Sequence, residues 1–533
     1  MGFTRRKFVQ SSVLAGAGLM LNPFKSFGKN MEYTHFGLNP FILANPDAVF
    51  IMQTNVDVKT NSVLMKEAGL AFGSSIFALT DNTVDGIPLT HKVVIKPNLT
   101  CRQRGSNKYT VEGSMGIVTD AYFVEGVIDS LKGLGISSGQ FYIREVNCKD
   151  DLVDSGYVDL AARTGIDVQG IETHASELLP DQIVWKDVPN GVWFNKIPYL
   201  WPVNAPDTWL LNISKFKAHG MGMTLCAKNM QGTIAMDYQA HCTAYGSTMS
   251  GVDPAHIRPF ANDDINNNYK RHKAAGVPRW DRPGSTGGIW METWASRCLD
   301  NNSVNFAGLH IIEGIYGRDG NFLDGPAAGD LATDFMTNYI IFGRNQFHVD
   351  NIGHYLAGHE PGNFGLFHMA KERGMAKTIN PADIPLYEWN ATNGPSMAQL
   401  TDFQRFPLLT YYLQKDYNGN TEPKWHLVNE PYLYDTTGIA ESALIANEFY
   451  MKNVFPNPVK GSGTLRFYVP RYGHVSLEIV NANGQVVDVL FNRQIDRGNH
   501  TVNINSRNFS SGLYIARMQF EGKVKIQKIM VAG

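Results

Sequence analysis

Hydrophobic and polar positions fall into three regimes along the chain. Up to about residue 213, short apolar runs alternate with amphipathic ones. Residues 47–53, 91–95, 140–146, 166–171 and 209–213 read as strands, the last a short buried one. Residues 62–77 and 153–164 read as helices. Val124, Val127, Ile128, Leu131 and Leu134 recur at helical spacing after Thr119, a natural N-cap, and Gly133 and Gly135 close that segment. Strand and helix in alternation predict an α/β fold, a mostly parallel sheet covered by helices.

The pattern loses regularity between residues 245 and 300, where Arg271, His272, Trp280, Arg282, Trp290 and Trp294 gather in a long insertion. It reads as a lid or rim, or as a segment pinned by its own small core. A strand at 309–312 and a helix opening near Phe347 complete the α/β unit, taken as residues 45–380. Residues 381–450 read as an irregular extension and linker. From 451 to 533 the period changes to two, over 463–469, 474–480, 486–490, 498–504, 512–520 and 524–531, with Asn483-Gly484 as a hairpin turn. That alternation predicts a small all-β C-terminal sandwich.

At 533 residues the chain is long enough for more than one domain. A net charge of -2 gives no electrostatic footprint for a nucleic acid. No internal run is long and apolar enough to span a bilayer, so no stable membrane span is expected. The five cysteines (101, 148, 226, 242 and 298) contain no Cys-x-x-Cys, so no iron-sulfur motif is spelled out. One disulfide, for example Cys226 with Cys242, is open to the chain after export.

Candidate chemistry concentrates behind the apolar run 209–213. Lys215, Lys217 and Lys228 supply positive charge there, His219 and His241 can exchange protons, and Asn229 can fix a polar group. Lys96-Pro97-Asn98 stands at the end of an earlier strand, and Gly113-Ser114-Met115-Gly116 could offer amides to an anion. Glu313 opens a Gly-rich turn, where a strand-end carboxylate can act as base or hold a metal. Asp350 and His354 share a helix face, which suits a metal pair, an oriented base or a plain surface ion pair.

Lys215, Lys217, His219, Thr224, Lys228 and Asn229, with Lys96-Pro97-Asn98-Leu99 before them, resemble the domain-of-unknown-function 362 family. The Glu313 turn with Gly325-Pro326, and the Val349-Asp350 pair, resemble its later signatures, although that family more usually has Asp where Glu313 stands. Residues 119–146 also look like the nucleotide-type half of lactate racemase relatives, a fold analogy only. Thr4-Arg5-Arg6-Lys7-Phe8 with the mild apolar stretch 11–21 resembles a twin-arginine export signal, assigned to residues 1–28. Phe455-Pro456-Asn457-Pro458, Asn483-Gly484 and Ser511-Gly512-Leu513-Tyr514 resemble the C-terminal sorting domain of type IX secretion substrates.

These resemblances imply passage through the inner membrane by the twin-arginine translocase, then secretion or attachment at the outer surface by the type IX machinery. The expected function is an enzyme acting on an anionic small molecule. Lys96, Asn98, Lys215, Lys217, Lys228 and Asn229 would bind the anion, with His219, Glu313 and Asp350 as catalytic groups. A divalent metal on Asp350 and His354 is compatible with this set, and no other cofactor is spelled out. A non-catalytic surface ligand-binding protein and a metal-dependent redox protein are the alternatives.

Overall fold

The computed structural model describes residues 33–99, 115–145, 149–170, 175–219, 222–239, 251–278, 289–410, 425–434, 449–451, 454–469, 472–495 and 498–532. The twin-arginine segment, Gly113 and Ser114, His241, Trp280, Arg282, Cys101, Cys148 and Cys242 lie outside the described residues.

Ten strands and eight helices position the site. In chain order they are β1 (Val49–Gln53), α1 (Ser62–Ile76), β2 (Lys92–Pro97), α2 (Ala121–Lys132), β3 (Phe141–Glu145), α3 (Tyr157–Thr164), β4 (Asp167–Gly170), β5 (Thr208–His219), β6 (Gly222–Thr224) and α4 (Cys226–Asn229). There follow α5 (Ala261–Ala274), α6 (Ile289–Asn302), β7 (Leu309–Arg318), β8 (Asp334–Gly343), α7 (Gln346–Leu356), α8 (Gly365–Glu372), β9 (Leu386–Asn390) and β10 (Gly394–Met397). The strands form one sheet in the order β10-β9-β1-β8-β7-β5-β2-β3-β4, with β6 folded back on β5. Only β6, β8 and β10 run against the rest, so the sheet is mostly parallel as expected.

Parallel strands covered on both faces are apolar along their length. β2 and β7 follow this rule until their carboxyl halves, where Lys96 and Glu313 enter. On one face α1 and α2 pack at backbone distance, because Gly69 and Gly126 stand at the crossing. A Cβ on Gly69 would lie 2.1 Å from Phe123 O, and one on Gly126 2.1 Å from Lys66 O. The N-cap of α2 is Asp120, not Thr119: its carboxylate accepts from the amides of Tyr122 and Phe123. Thr119 uses its hydroxyl between strands instead, donating to Ile213 O and accepting from Asn98 N.

Several segments differ from the sequence reading. The strand expected at 309–312 runs on through Glu313 to Arg318, so Glu313 sits within β7 and does not open a turn, and β8 beside it was not foreseen. β5 does not stop at Ile213 but runs on to His219, since Ser214, Phe216 and Ala218 keep one face apolar or small while Lys215, Lys217 and His219 take the other. The insertion contains two 14-residue helices, α5 and α6. Trp294 of α6 is buried in a satellite core with Phe347, Phe364 and Phe367. Beyond residue 380, β9 pairs with β1 and sends Trp389 edge-on against Phe50 and Phe342, so this stretch extends the sheet.

The C-terminal unit is built of strands Phe455–Lys460, Ser462–Val469, Gly473–Asn481, Val486–Ile495, Gly498–Asn505, Gly512–Phe520 and Lys523–Val531. Their alternation buries Leu465, Phe467, Leu477, Ile479, Met518 and Ile529 in a core of their own. Pairing is antiparallel throughout except where Val459 meets Val531. Among the described residues, no helix is long and apolar enough to cross a membrane, which says nothing about crossing by strands.

Candidate functional site

The carboxyl ends of β2, β3 and β5 bring together residues far apart in the chain. In register, Lys96 of β2 lies beside Asn212 of β5, and Lys215 of β5 beside Glu313 of β7. Alternation along β5 then divides the groups between the two faces of the sheet.

On the side covered by α4, Lys96 is fully buried. Its Nζ donates to Glu145 Oε2 at 2.5 Å, to Pro97 O at 2.5 Å and to Asn229 Oδ1 at 3.0 Å. Burial pushes the Lys96 amine down and the Glu145 carboxyl up, and their mutual attraction opposes both shifts. Asn229 is the hub: its amide donates to Lys96 O and Asn212 Oδ1, and its carbonyl also accepts from Asn98 Nδ2 at 3.1 Å. The turn carrying it is anchored from α7, where Asp350 accepts the amides of Cys226 at 2.6 Å and Ala227 at 2.8 Å. Burial pushes Asp350 up to about 7.

On the side covered by α2, Lys215 Nζ meets Glu313 Oε2 at 2.7 Å, both side chains wholly shielded from solvent. The ammonium also lies 3.3 Å over the Tyr316 ring. Glu313 accepts from the amides of Asp120 and Ile315, and Tyr316 OH donates to Asp120 Oδ2.

Lys217 and His219 lie at the end of β5, and Lys228 of α4, which lines a small cavity with Asp350, His354 and Trp294, is near enough for its charge to act on both. Lys217 Nζ donates to Ile117 O at 2.5 Å. Burial first, then the charges of Lys228 and Arg318, pushes it well below the usual amine range, with Glu145 pulling the other way. His219 is half-buried, edge-on to Phe322 at 5.4 Å, and its carbonyl accepts from Thr410. Burial, Lys228 and Lys217 together push its imidazole well below 6.5, so the neutral ring prevails at neutral pH.

Asp350 and His354 do not meet side chain to side chain. Both Asp350 oxygens face the amides of α4, and His354 Nδ1 bonds the main-chain carbonyl of Asp350 while its ring packs against Phe364 and Phe367. Among the described residues, no group of three or more His, Cys, Asp or Glu side chains is gathered to hold a metal ion. Cys226 and Cys298 are buried free thiols. Cys226 is 3.4 Å from Ser214 Oγ, so it belongs to the core under β5.

Sequence reasoning missed Glu145, Asp120, Asn212 and Tyr316. Glu145 ends a parallel strand, the position from which such sheets deliver functional groups, and that signal was available. Asp120, Asn212 and Tyr316 carry no local mark; only the sheet order brings them to the site.

These observations define an α/β protein with a lysine- and carboxylate-lined centre at the carboxyl rim of its sheet, followed by a β-rich tail. The chain carries a domain of the family described as Domain of unknown function (DUF362), matched over residues 93–354. Residues 453–532 match the Secretion system C-terminal sorting domain, which supports secretion through the type IX system to the cell surface or beyond. No curated protein matches the chain. Among solved structures, the X-ray structure of the endo-beta-1,4-mannanase from Thermotoga petrophila aligns at 11% identity over 92% of this chain and 100% of that one. Its TM-score of 0.16 carries no argument.

Proposed function

We propose that the protein is an exported enzyme acting on a small anionic molecule, bound at the rim formed by Lys217, His219 and Lys228. The observation that carries this reading is the gathering of like charges around buried groups: burial first, then Lys228 and Arg318, depress Lys217 against the pull of Glu145, and burial first, then Lys228 and Lys217, depress His219. An anion among them would relieve that repulsion. Lys96 and Lys215, each closed into an ion pair with Glu145 or Glu313, then act as struts. Asn98, Asn229 and Asp350 hold the turn that presents Lys228, and His219 takes a proton from the substrate. Residues 1–28 would direct inner-membrane passage by the twin-arginine route. The α/β unit would span about 45–380, extended by β9 and β10.

A thermal-shift screen of the natively exported chain against organic acids and phosphates tests the reading, with elemental analysis for a divalent metal. Lys217→Gln and Lys228→Gln should abolish the shift of any responding anion. His219→Asn should keep binding and abolish turnover. Binding and activity untouched by all three variants would overturn the assignment, whereas binding without turnover in the unmodified chain would make this a ligand-binding protein.

A further inference from the structure

One titratable cluster lies outside this site, where the insertion meets the α/β body. His272, near the end of α5, is 3% exposed. Its Nδ1 is 2.7 Å from Glu292 Oε1 of α6, and its Nε2 is 2.7 Å from Glu372 Oε2 of α8. Arg271, the preceding residue, pairs with the other Glu372 oxygen at 2.6 Å and has Nη2 3.2 Å from His272 Nε2. We propose that His272 is a proton-dependent clamp, which in its charged form ties α5 to both α6 and α8 and on losing a proton gives up its own bond to α8, leaving Arg271 as the weaker tie between the two helices.

The argument is one of hydrogen count. A neutral imidazole carries a single N–H and can serve one carboxylate, the other then facing a lone pair. With a carboxylate oxygen at 2.7 Å from each nitrogen, both nitrogens donate and the ring is an imidazolium. Among the described residues, the charged groups bonded to the ring are Glu292 from α6, Glu372 from α8 and Arg271 from α5 itself. Which bond fails first follows from burial. Glu292 is 1% exposed and keeps the remaining proton on Nδ1. Glu372 is partly exposed and retains Arg271, while Arg271 Nη2 is already placed to donate to the bared Nε2.

The sign is fixed by the two partners. Burial raises Glu372, but the bonds from His272 and Arg271 outweigh it and bring the carboxyl down to about 2, so acid does not open the clamp until that range. Rising pH opens it, at the point where the ring gives up its second proton.

Hydrogen exchange of the full chain at about pH 5.5 and about pH 8.5, corrected for intrinsic rates and referenced to α2, reads the clamp directly. Exchange in 261–274 should speed up about tenfold at the higher pH, the equilibrium weight of one charge-assisted hydrogen bond. His272→Gln should exchange fast at both values. Glu372→Gln, a change at a partly exposed position, should remove the pH dependence even if the His272 variant fails to fold. Equal protection of 261–274 at both pH values, or an undiminished pH response in Glu372→Gln, would overturn the proposal.

Discussion

Lys215 and Glu313 stand side by side in β5 and β7, 2.7 Å apart and without solvent contact. Burial pushes the lysine down and the carboxyl up, and each charge is held by the other. Removing one partner strands the second. Glu313→Gln should therefore lower stability by about 3–5 kcal/mol, whereas Lys215→Met with Glu313→Leu should recover most of that loss. Urea unfolding of both variants measures this; a harmless Glu313→Gln would mean that the ammonium finds other support.

Gly232 is needed where the 230–233 turn passes over the Lys96 to Glu145 pair. A Cβ there would lie 1.8 Å from Glu145 Oε1 and 2.6 Å from Lys96 Cε. Gly232→Ala should cost about 1–3 kcal/mol by overpacking. The shift in urea midpoint checks it, and a midpoint equal to that of the unmodified chain would show that the pair yields cheaply.

Burial holds His310 and His354 down to about 3 and His359 down to about 4, all below their unfolded value of about 6.5. The unfolded chain thus binds more protons below about pH 6.5, and stability falls as pH drops toward about 4, by up to about 1.4 kcal/mol per pH unit for each histidine. Asp350, raised to about 7, opposes this with one proton of its own between about pH 4 and 7. His359→Gln should reduce the slope by one proton. Denaturant titrations at several pH values give the slopes directly.

Deleting 453–532 should leave the protein inside the cell, because the sorting domain is then missing. Cell fractionation decides it, and secretion of the shortened chain would show that another segment carries the address.

Much of this architecture was legible in the chain. The strands 47–53, 91–95, 140–146 and 166–171 lie close to where the parallel sheet has them, because buried parallel strands advertise themselves as apolar runs. The carboxyl half of β5 was harder to read. Lys215, Lys217 and His219 look like a loop when counted by charge, and like a strand only when Ser214, Phe216 and Ala218 are read as the opposite face. Site residues on strand ends were visible as polar interruptions. Asp120 and Tyr316 were not, since their importance comes from Lys215 and Glu313, nearly a hundred residues or more from Asp120. The helices of the insertion were hidden for another reason: α6 is buried from Met291 to Asn302 yet carries Glu292, Arg297, Asp300, Asn301 and Asn302, so no apolar stripe marks it.

The alternation of β5 also limits how this centre can change over time. Slipping the strand by one position would turn Phe216 and Ala218 toward the side of Lys215 and Glu313 and push Lys217 and His219 into the aliphatic packing beneath α7. New chemistry can arise here by exchanging one side chain for another, but not by lengthening or shortening the strand.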